Sequence, residues 1–370
     1  MQVLTFDHPS ALPVAALALW HDAGQGHLFH EQPWLWQALP ASLQPGDRLQ
    51  LHLITDDGPD GRPLALLPAV YSRLYASHPN ARVLHFLQRE EQPYEPIGQA
   101  VDVAAAAECI AAWIEANPNA VDVVRVSPLD PARPFTSAIV GALARHGHWV
   151  QLYRYANCRF ATVAGLTFSQ YLAQRPKALR ESLELNTRLL LHGGRGEFQL
   201  PFTPELIEDA WDHVRHVIDN APEEDAPDPP DYLRAVLVTA ADTGTLRLGI
   251  FFLDGLPVAM QLWVISAGRA LCLRIWAAQG QRAFPIDNVL TQLMALCLID
   301  GDHVNELEFG DVNDEFARDW APLSRERLGL AAFNRRTWRG VRGAMRHIGV
   351  QLIKTAPQRL LRLLGVRRRA

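Results

Sequence analysis

The sequence predicts an α/β (α+β) fold in which one module occurs twice in tandem, each copy a mixed, mostly antiparallel sheet flanked by helices. Three observations predict it. The pattern Asp-Gly-x-Pro-aliphatic-Ala runs from Asp60 to Ala65 and again from Asp254 to Ala259. Each copy lies between two apolar-alternating runs, a hairpin signal because glycine accepts the positive φ of a tight turn. Both hairpins lead into the same order of signals: a further strand, a helix and another strand. Finally, 370 residues exceed what one hydrophobic core usually supports.

A strand over 3–6 opens the first half, followed by a helix over 12–20 and an aromatic segment, 30–36. The runs 49–54 and 66–70 flank the first Asp-Gly turn, with Pro63 at a strand start, where a missing N–H costs least. A strand over 82–87 precedes a helix over 104–116, whose Ile110, Trp113 and Ile114 share one face. Residues 121–126 form a β-branched strand, and a helix over 135–146 ends at Gly147, a C-cap. Two strands, 149–155 and 159–163, close this half.

The second half opens with a basic helix over 168–192, closed by Gly193-Gly194, and a helix over 204–218. The acidic, Pro-rich stretch 219–231 is too polar to pack a core and reads as a loop. Strands follow at 246–253, 258–265 and 270–276. In the helix over 285–299, Ile286, Val289, Leu290, Leu293, Met294 and Cys297 repeat at helical spacing. A strand over 304–309 and a helix beginning over 314–320 complete the pattern. The expected units are 1–165, 166–336 and a basic amphipathic tail, 337–370.

Hydrophobic residues make up 48% of the chain and charged residues 20%, the balance of a soluble globular protein. No apolar run reaches the roughly 20 residues needed to span a bilayer, and residues 1–7 show no secretory signal, so a cytoplasmic location is expected. The four cysteines (Cys109, Cys158, Cys272, Cys297) are isolated and read as free thiols. The net charge of −5 conceals an asymmetry: after Glu326 there are 12 Lys and Arg and no acidic residue. The acidic body argues against nucleic-acid binding. The basic tail is a signal for the membrane surface, docking on the acidic body and a disordered basic end being the alternatives.

Three antiparallel strands, a crossover helix and a next strand resemble the core of the GNAT acyltransferase fold. Pro33-Trp34-Leu35, Gly61 to Pro68, Tyr94-Glu95-Pro96, Tyr171 to Arg188, Gly255 to Ala259 and Glu306 to Trp320 together resemble the BioF2-like acetyltransferase family. That family is related to FemAB-type aminoacyl transferases and to acetyltransferases of cellulose and exopolysaccharide systems. The resemblance implies tandem GNAT-like domains and acyl transfer from acetyl-CoA (acyl-CoA) to a small-molecule amine, with no metal. In such a module the pyrophosphate lies on the N-terminus of the crossover helix, where backbone donors and the helix dipole favour it. Here that place is Gln279, Gly280, Gln281 and Arg282, or else a plain surface loop, since the Gln/Arg-x-x-Gly-x-Gly/Ala signature is absent.

Glu308 and Asp311, at a strand end, are the candidate catalytic carboxylates, suited to deprotonating an ammonium. Asp311, Asp314 and Glu315 equally suit the N-terminus of the next helix. Where the family carries Gly-Asp-Glu-x-Tyr-Lys, this chain has Val312 to Ala317 without the glycine, phenol or lysine. Arg180 and Arg318 are the candidate substrate contacts. Arg180 belongs to a basic helix with Arg175, Lys177 and Arg188, for which a solvated face is the other reading. His213 and His216 lack further metal ligands. The alternatives to an acyl-CoA enzyme are a FemAB-like transferase using charged tRNA, which would need a helical arm and a basic channel, and a catalytically lapsed scaffold in polysaccharide assembly. Association with the inner membrane through 338–370 is expected.

Overall fold

A computed structural model of the chain describes residues 1–24, 43–56, 58, 61–73, 81–87, 93–98, 103–222, 229–278, 285–310 and 314–347. Its strands are β1 (Gln2–Phe6), β2 (Arg48–Thr55), β3 (Pro63–Ser72), β4 (Val83–Leu87), β5 (Val123–Leu129), β6 (His148–Thr162), β7 (Gly196–Gln199), β8 (Leu246–Leu253), β9 (Leu256–Ser266), β10 (Arg269–Ala277), β11 (Glu306–Glu308) and β12 (Leu323–Asn334). The helices are α1 (Val14–Gly24), α2 (Val103–Ala116), α3 (Pro134–Arg145), α4 (Phe168–Ala173), α5 (Lys177–Thr187), α6 (Pro204–Asp219), α7 (Pro230–Asp242), α8 (Ile286–Leu296), α9 (Asp314–Trp320) and α10, residues 338–347.

All twelve strands join one sheet in the order β1-β2-β3-β4-β5-β12-β6-β11-β10-β9-β8-β7. Among the described strands only β4 with β5 and β10 with β11 run parallel, the pairs that a crossover helix connects. The two halves exchange their last strands. The C-terminal β12 lies between β5 and β6, while β6 lies between β12 and β11. The halves are thereby one continuous sheet with a reciprocal swap at its centre.

Side chains alternate across this sheet. On the back, α2 and α3 cover the first half, and α4, α5, α8 and α9 cover the second. On the front, α1, α6 and α7 bury Leu49, Leu51 and Leu53 of β2 together with Leu246, Leu248 and Ile250 of β8 in one apolar cluster.

The second Asp-Gly is a two-residue hairpin: Leu253 pairs with Leu256, and Asp254 (φ 50) with Gly255 (φ 81) makes the turn. In the first copy Thr55 pairs with Pro63, so the connection is longer, and Asp56 accepts from the Arg62 N–H at 2.7 Å. The expected strands 149–155 and 159–163 are a single strand, β6. The expected helix 168–192 is broken at Pro176, which begins a second helix as its N-cap. The stretch expected as a loop to residue 231 gives way to α7 at Pro230. Residues 30–36, Asp60 and the tail beyond 347 lie outside the described residues.

Candidate active site in the second half

The parallel pair β10 and β11 is joined only over Arg269–Leu271 and Glu306–Glu308. Beyond Leu271, β10 runs on to Ala277 beside β9, its register slipping between Cys272 and Arg274. On the other side β6 meets β11 only at Phe160–Thr162. A wedge therefore opens above the three-residue β11, walled by 272–277 of β10 and 148–158 of β6, with no described strand between them. At its apex Gly310 crosses with φ 27, and a Cβ there would stand 3.0 Å from the Cys272 carbonyl oxygen. Backbone groups of β10 that no strand satisfies on this side are the donors such an opening offers a ligand.

Helix α8 runs from the wedge along the back face. Pro285 is its N-cap, no side chain caps it, and Asp287 lies in its first turn. Gln261, fully buried on β9, ties the strand to this helix: its amide donates to Thr291 Oγ1 at 2.6 Å and accepts from the Trp263 indole at 2.9 Å. Asp287 is complementary to the helix dipole, so a phosphate at this terminus meets a carboxylate as well as N–H donors.

Glu308 ends β11 on the front face, opposite Leu307, and is 1% exposed. Three guanidinium groups surround its carboxylate: Arg327 donates at 3.3 Å, Arg325 stands at 3.5 Å and Arg269 at 4.0 Å. Arg327, itself fully buried, also donates to Asp130 at 3.0 Å, and Arg325 to Glu306 at 2.5 Å. Arg325 lies over the Phe160 ring, 3.7 Å from its centre. Glu95 extends this charge cluster into the first half, 3.7 Å from Arg133. Partial burial raises the Glu95 carboxyl above the usual range; Asp130 adds to the rise, while Arg133 and Arg269 oppose it. The network thus joins the first half (Glu95, Asp130, Arg133), the second (Arg269, Glu306, Glu308) and the exchanged strand (Arg325, Arg327). In this arrangement Glu308 faces arginines rather than solvent.

The corresponding place in the first half is filled. Ile97 bridges to Leu66 of β3, and the Tyr94 N–H donates to the Pro128 carbonyl at the end of β5 at 2.7 Å. The Tyr94 ring is buried against Phe86 and Phe135, and its hydroxyl donates to the Pro68 carbonyl at 3.0 Å. Burial holds that phenol well above its ordinary pKa.

Of the sequence candidates, Gln279, Gly280, Gln281, Arg282 and Asp311 lie outside the described residues. Arg180 and Arg318 are exposed on α5 and α9, helices of the back face, across the sheet from Glu308. The rest of the basic helix is accounted for structurally. Arg175 is buried, donates to the Trp320 carbonyl at 2.7 Å and lies over Tyr171. Lys177 and Arg188 pair with Glu181 and Glu184 one turn away. His213 packs edge-on against Phe252, and the described residues hold no group of three or more metal-ligating side chains. Arg325 and Arg327 escaped the sequence reading because β12 did. The available signal was the spacing Arg325, Arg327 ahead of Leu328, Leu330 and Ala332, which is period two with arginine on one face.

Comparison with known proteins bears on this half first. Residues 177–318 match the model of a family described as acetyltransferase (GNAT) domain. The second half carries a GNAT-type domain. The match runs from α5 into α9 and contains β10 and β11, but not the β6 wall of the wedge. Among solved structures, FemX shares 9% identity at a TM-score of 0.59, covering 90% of this chain and 97% of that one. A Bacteroides thetaiotaomicron protein of unknown function shares 13% at 0.52, covering 90% and 100%. The C-terminal domain of a putative lysylphosphatidylglycerol synthetase from Agrobacterium fabrum shares 12% at 0.50, covering 82% and 88%. At these identities the likeness is one of fold, and it extends over both halves. No curated protein sequence matches the chain. The fold is mixed α/β and GNAT-like, with one large sheet flanked by helices.

Proposed function

We propose that the protein is an N-acyltransferase of BioF2-like type that moves an acyl group from acyl-CoA to an amine, with residues 166–336 as the catalytic unit and β6 supplying one wall of its site. An amino sugar or another precursor of envelope or exopolysaccharide is the acceptor class. The observation that carries this reading is the asymmetry of the two parallel pairs: β10 and β11 part to leave a wedge, whereas Tyr94 fills the equivalent place by β4 and β5. The thioester carbonyl is polarised by backbone N–H groups of β10 beyond its slip at Leu273, and the free amine attacks it directly. The C–N bond forms as the C–S bond breaks, and the CoA thiolate leaves with the proton that the amine gives up.

Asp311 is the proposed base for the acceptor ammonium, since in sequence it lies three residues beyond Glu308, the last residue of β11. Glu308 is proposed to brace that strand end, its oxygens being engaged by Arg327, Arg325 and Arg269. Gln279 to Arg282 hold the pyrophosphate, with Arg282 supplying charge that offsets Asp287. Arg180 and Arg318 are assigned to an anionic part of a substrate that reaches round to α5 and α9. The basic residues of 338–370 associate the protein with the anionic surface of the inner membrane.

Titration with acetyl-CoA by calorimetry tests the donor. One saturable site that weakens at least tenfold in Arg282→Glu supports the reading, and no binding at millimolar ligand overturns it. The likeness to FemX and to a lysylphosphatidylglycerol synthetase domain favours a second reading, an aminoacyl donor. Under it, acetyl-CoA fails to bind while charged tRNA binds. No described helix exceeds the 16 residues of α6, so the described residues contain no long helical arm.

A further inference from the structure

Helix α10 crosses the front face where β6 begins and β12 ends. Its inner side is made of small residues, Gly340, Gly343 and Ala344, which let it lie close on Phe333. Its outer side differs from that of an ordinary surface helix. Trp338 is 71% exposed and Met345, two turns on, is 56% exposed, with Arg339, Arg342 and Arg346 exposed beside them. Next to Met345 lies an open apolar groove of about 420 Å³, lined by Trp149, Val150, Gln151, Phe333, Ala344 and Met345. Trp149 on its rim is 44% exposed. Scattered exposed apolar residues need no explanation, but Trp149 and Met345 border one groove, Trp338 lies two turns from Met345 on the same helix, and arginines are interleaved with them.

We infer that this end of the folded body, formed by α10 and the start of β6, is itself a docking face for an anionic phospholipid bilayer. Indole and thioether side chains settle at the level where lipid headgroups meet acyl chains, and arginines beside them reach phosphates. Charge complementarity selects the occupant: α10 exposes Arg339, Arg342 and Arg346 and contains no acidic residue. The face extends the membrane role proposed for the tail, but it rests on described side chains rather than on residues beyond 347. Topology adds an orientation, which depends on the wedge being the donor site. β10 is parallel to β11, β11 antiparallel to β6, and β6 antiparallel to β12. The mouth of the wedge therefore lies at the same end of the sheet as Trp149 and α10. A protein seated on this face presents its acyl donor toward the membrane surface, where an amine on a lipid-linked acceptor would stand.

Flotation of the full-length protein with phosphatidylcholine vesicles, with and without phosphatidylglycerol, tests the docking face. The parent chain is expected to float only with the anionic vesicles. Trp338→Glu with Met345→Glu, both at exposed positions, should lower partitioning about tenfold with an unchanged melting temperature. In a full chain with Arg359, Arg362, Arg367, Arg368 and Arg369 changed to Gln, residual flotation should persist and disappear when the Glu pair is added. If these Gln changes have no effect while the Glu pair does, the tail reading fails and the docking face stands. Equal flotation of the Glu pair and the parent overturns the docking face. So does a fall from dimer to monomer in light scattering with flotation unchanged, because the face then serves a second copy of the chain.

Discussion

Replacing Glu308 by Gln separates a brace from a base. The carboxylate is buried among Arg327 at 3.3 Å, Arg325 at 3.5 Å and Arg269 at 4.0 Å. Gln keeps the shape, removes the charge and turns an N–H₂ toward groups that are themselves donors. Breaking a buried ion pair by removing one partner costs about 3–5 kcal/mol. Arg327 retains Asp130 at 3.0 Å and Arg325 retains Glu306 at 2.5 Å, so the loss falls at the lower end, about 3 kcal/mol. Over 370 residues an unfolding entropy of about 2.1 cal/mol/K per residue amounts to about 0.8 kcal/mol/K, which converts that loss to about 4 °C in Tm. The assay is a thermal melt paired with turnover measured well below the transition. The expected result is the lowered Tm with less than a tenfold fall in kcat, and partial recovery of Tm in Glu308→Met with Arg327→Met. An unchanged Tm with kcat down about a hundredfold or more would make Glu308 the base and refute the brace.

Acid should destabilise the protein through His52, which burial depresses from 6.5 to about 3. Between those values the unfolded chain takes up a proton that the folded chain refuses, so stability falls as pH drops below 6.5. The loss is about 3 kcal/mol by pH 4.5, and urea midpoints of parent and His52→Asn should converge there. Tyr94→Phe leaves the Pro68 carbonyl without its donor and should cost about 1–2 kcal/mol in a denaturant melt while leaving acetyl-CoA affinity within twofold. Gly329→Ala should cost about 1–3 kcal/mol, because a Cβ there would run into the Tyr153 ring lying across β12. Tyr153→Ala should absorb most of that penalty.

The elements legible in the sequence were those whose apolar face follows one period. α8 is such an element, and β8 and β9 were legible as runs of apolar residues, which they bury on both faces of the sheet. β12 was not legible because the alternation begun by Arg325 and Arg327 is lost over 330–333, where Leu330 and Ala332 are buried on one face and Ala331 and Phe333 on the other. The strand exchange was equally hidden, since no local pattern tells β12 to enter between β5 and β6 rather than close its own half. The same holds for the site. Glu308 was visible as a carboxylate at a strand end, but its arginine partners come from a strand the reading lacked. The doubled hairpin pointed to a repeated module, yet nothing in Tyr94-Glu95-Pro96 announced that this segment fills the first copy's opening.

Hydrogen exchange with and without acetyl-CoA tests whether the wedge between β10 and β11 is the donor site and its first-half counterpart is closed. Protection should rise over 272–296 and 306–318 and stay unchanged over 83–98 and 123–129. Protection concentrated in the first-half segments, with none along β10 and α8, would contradict the account.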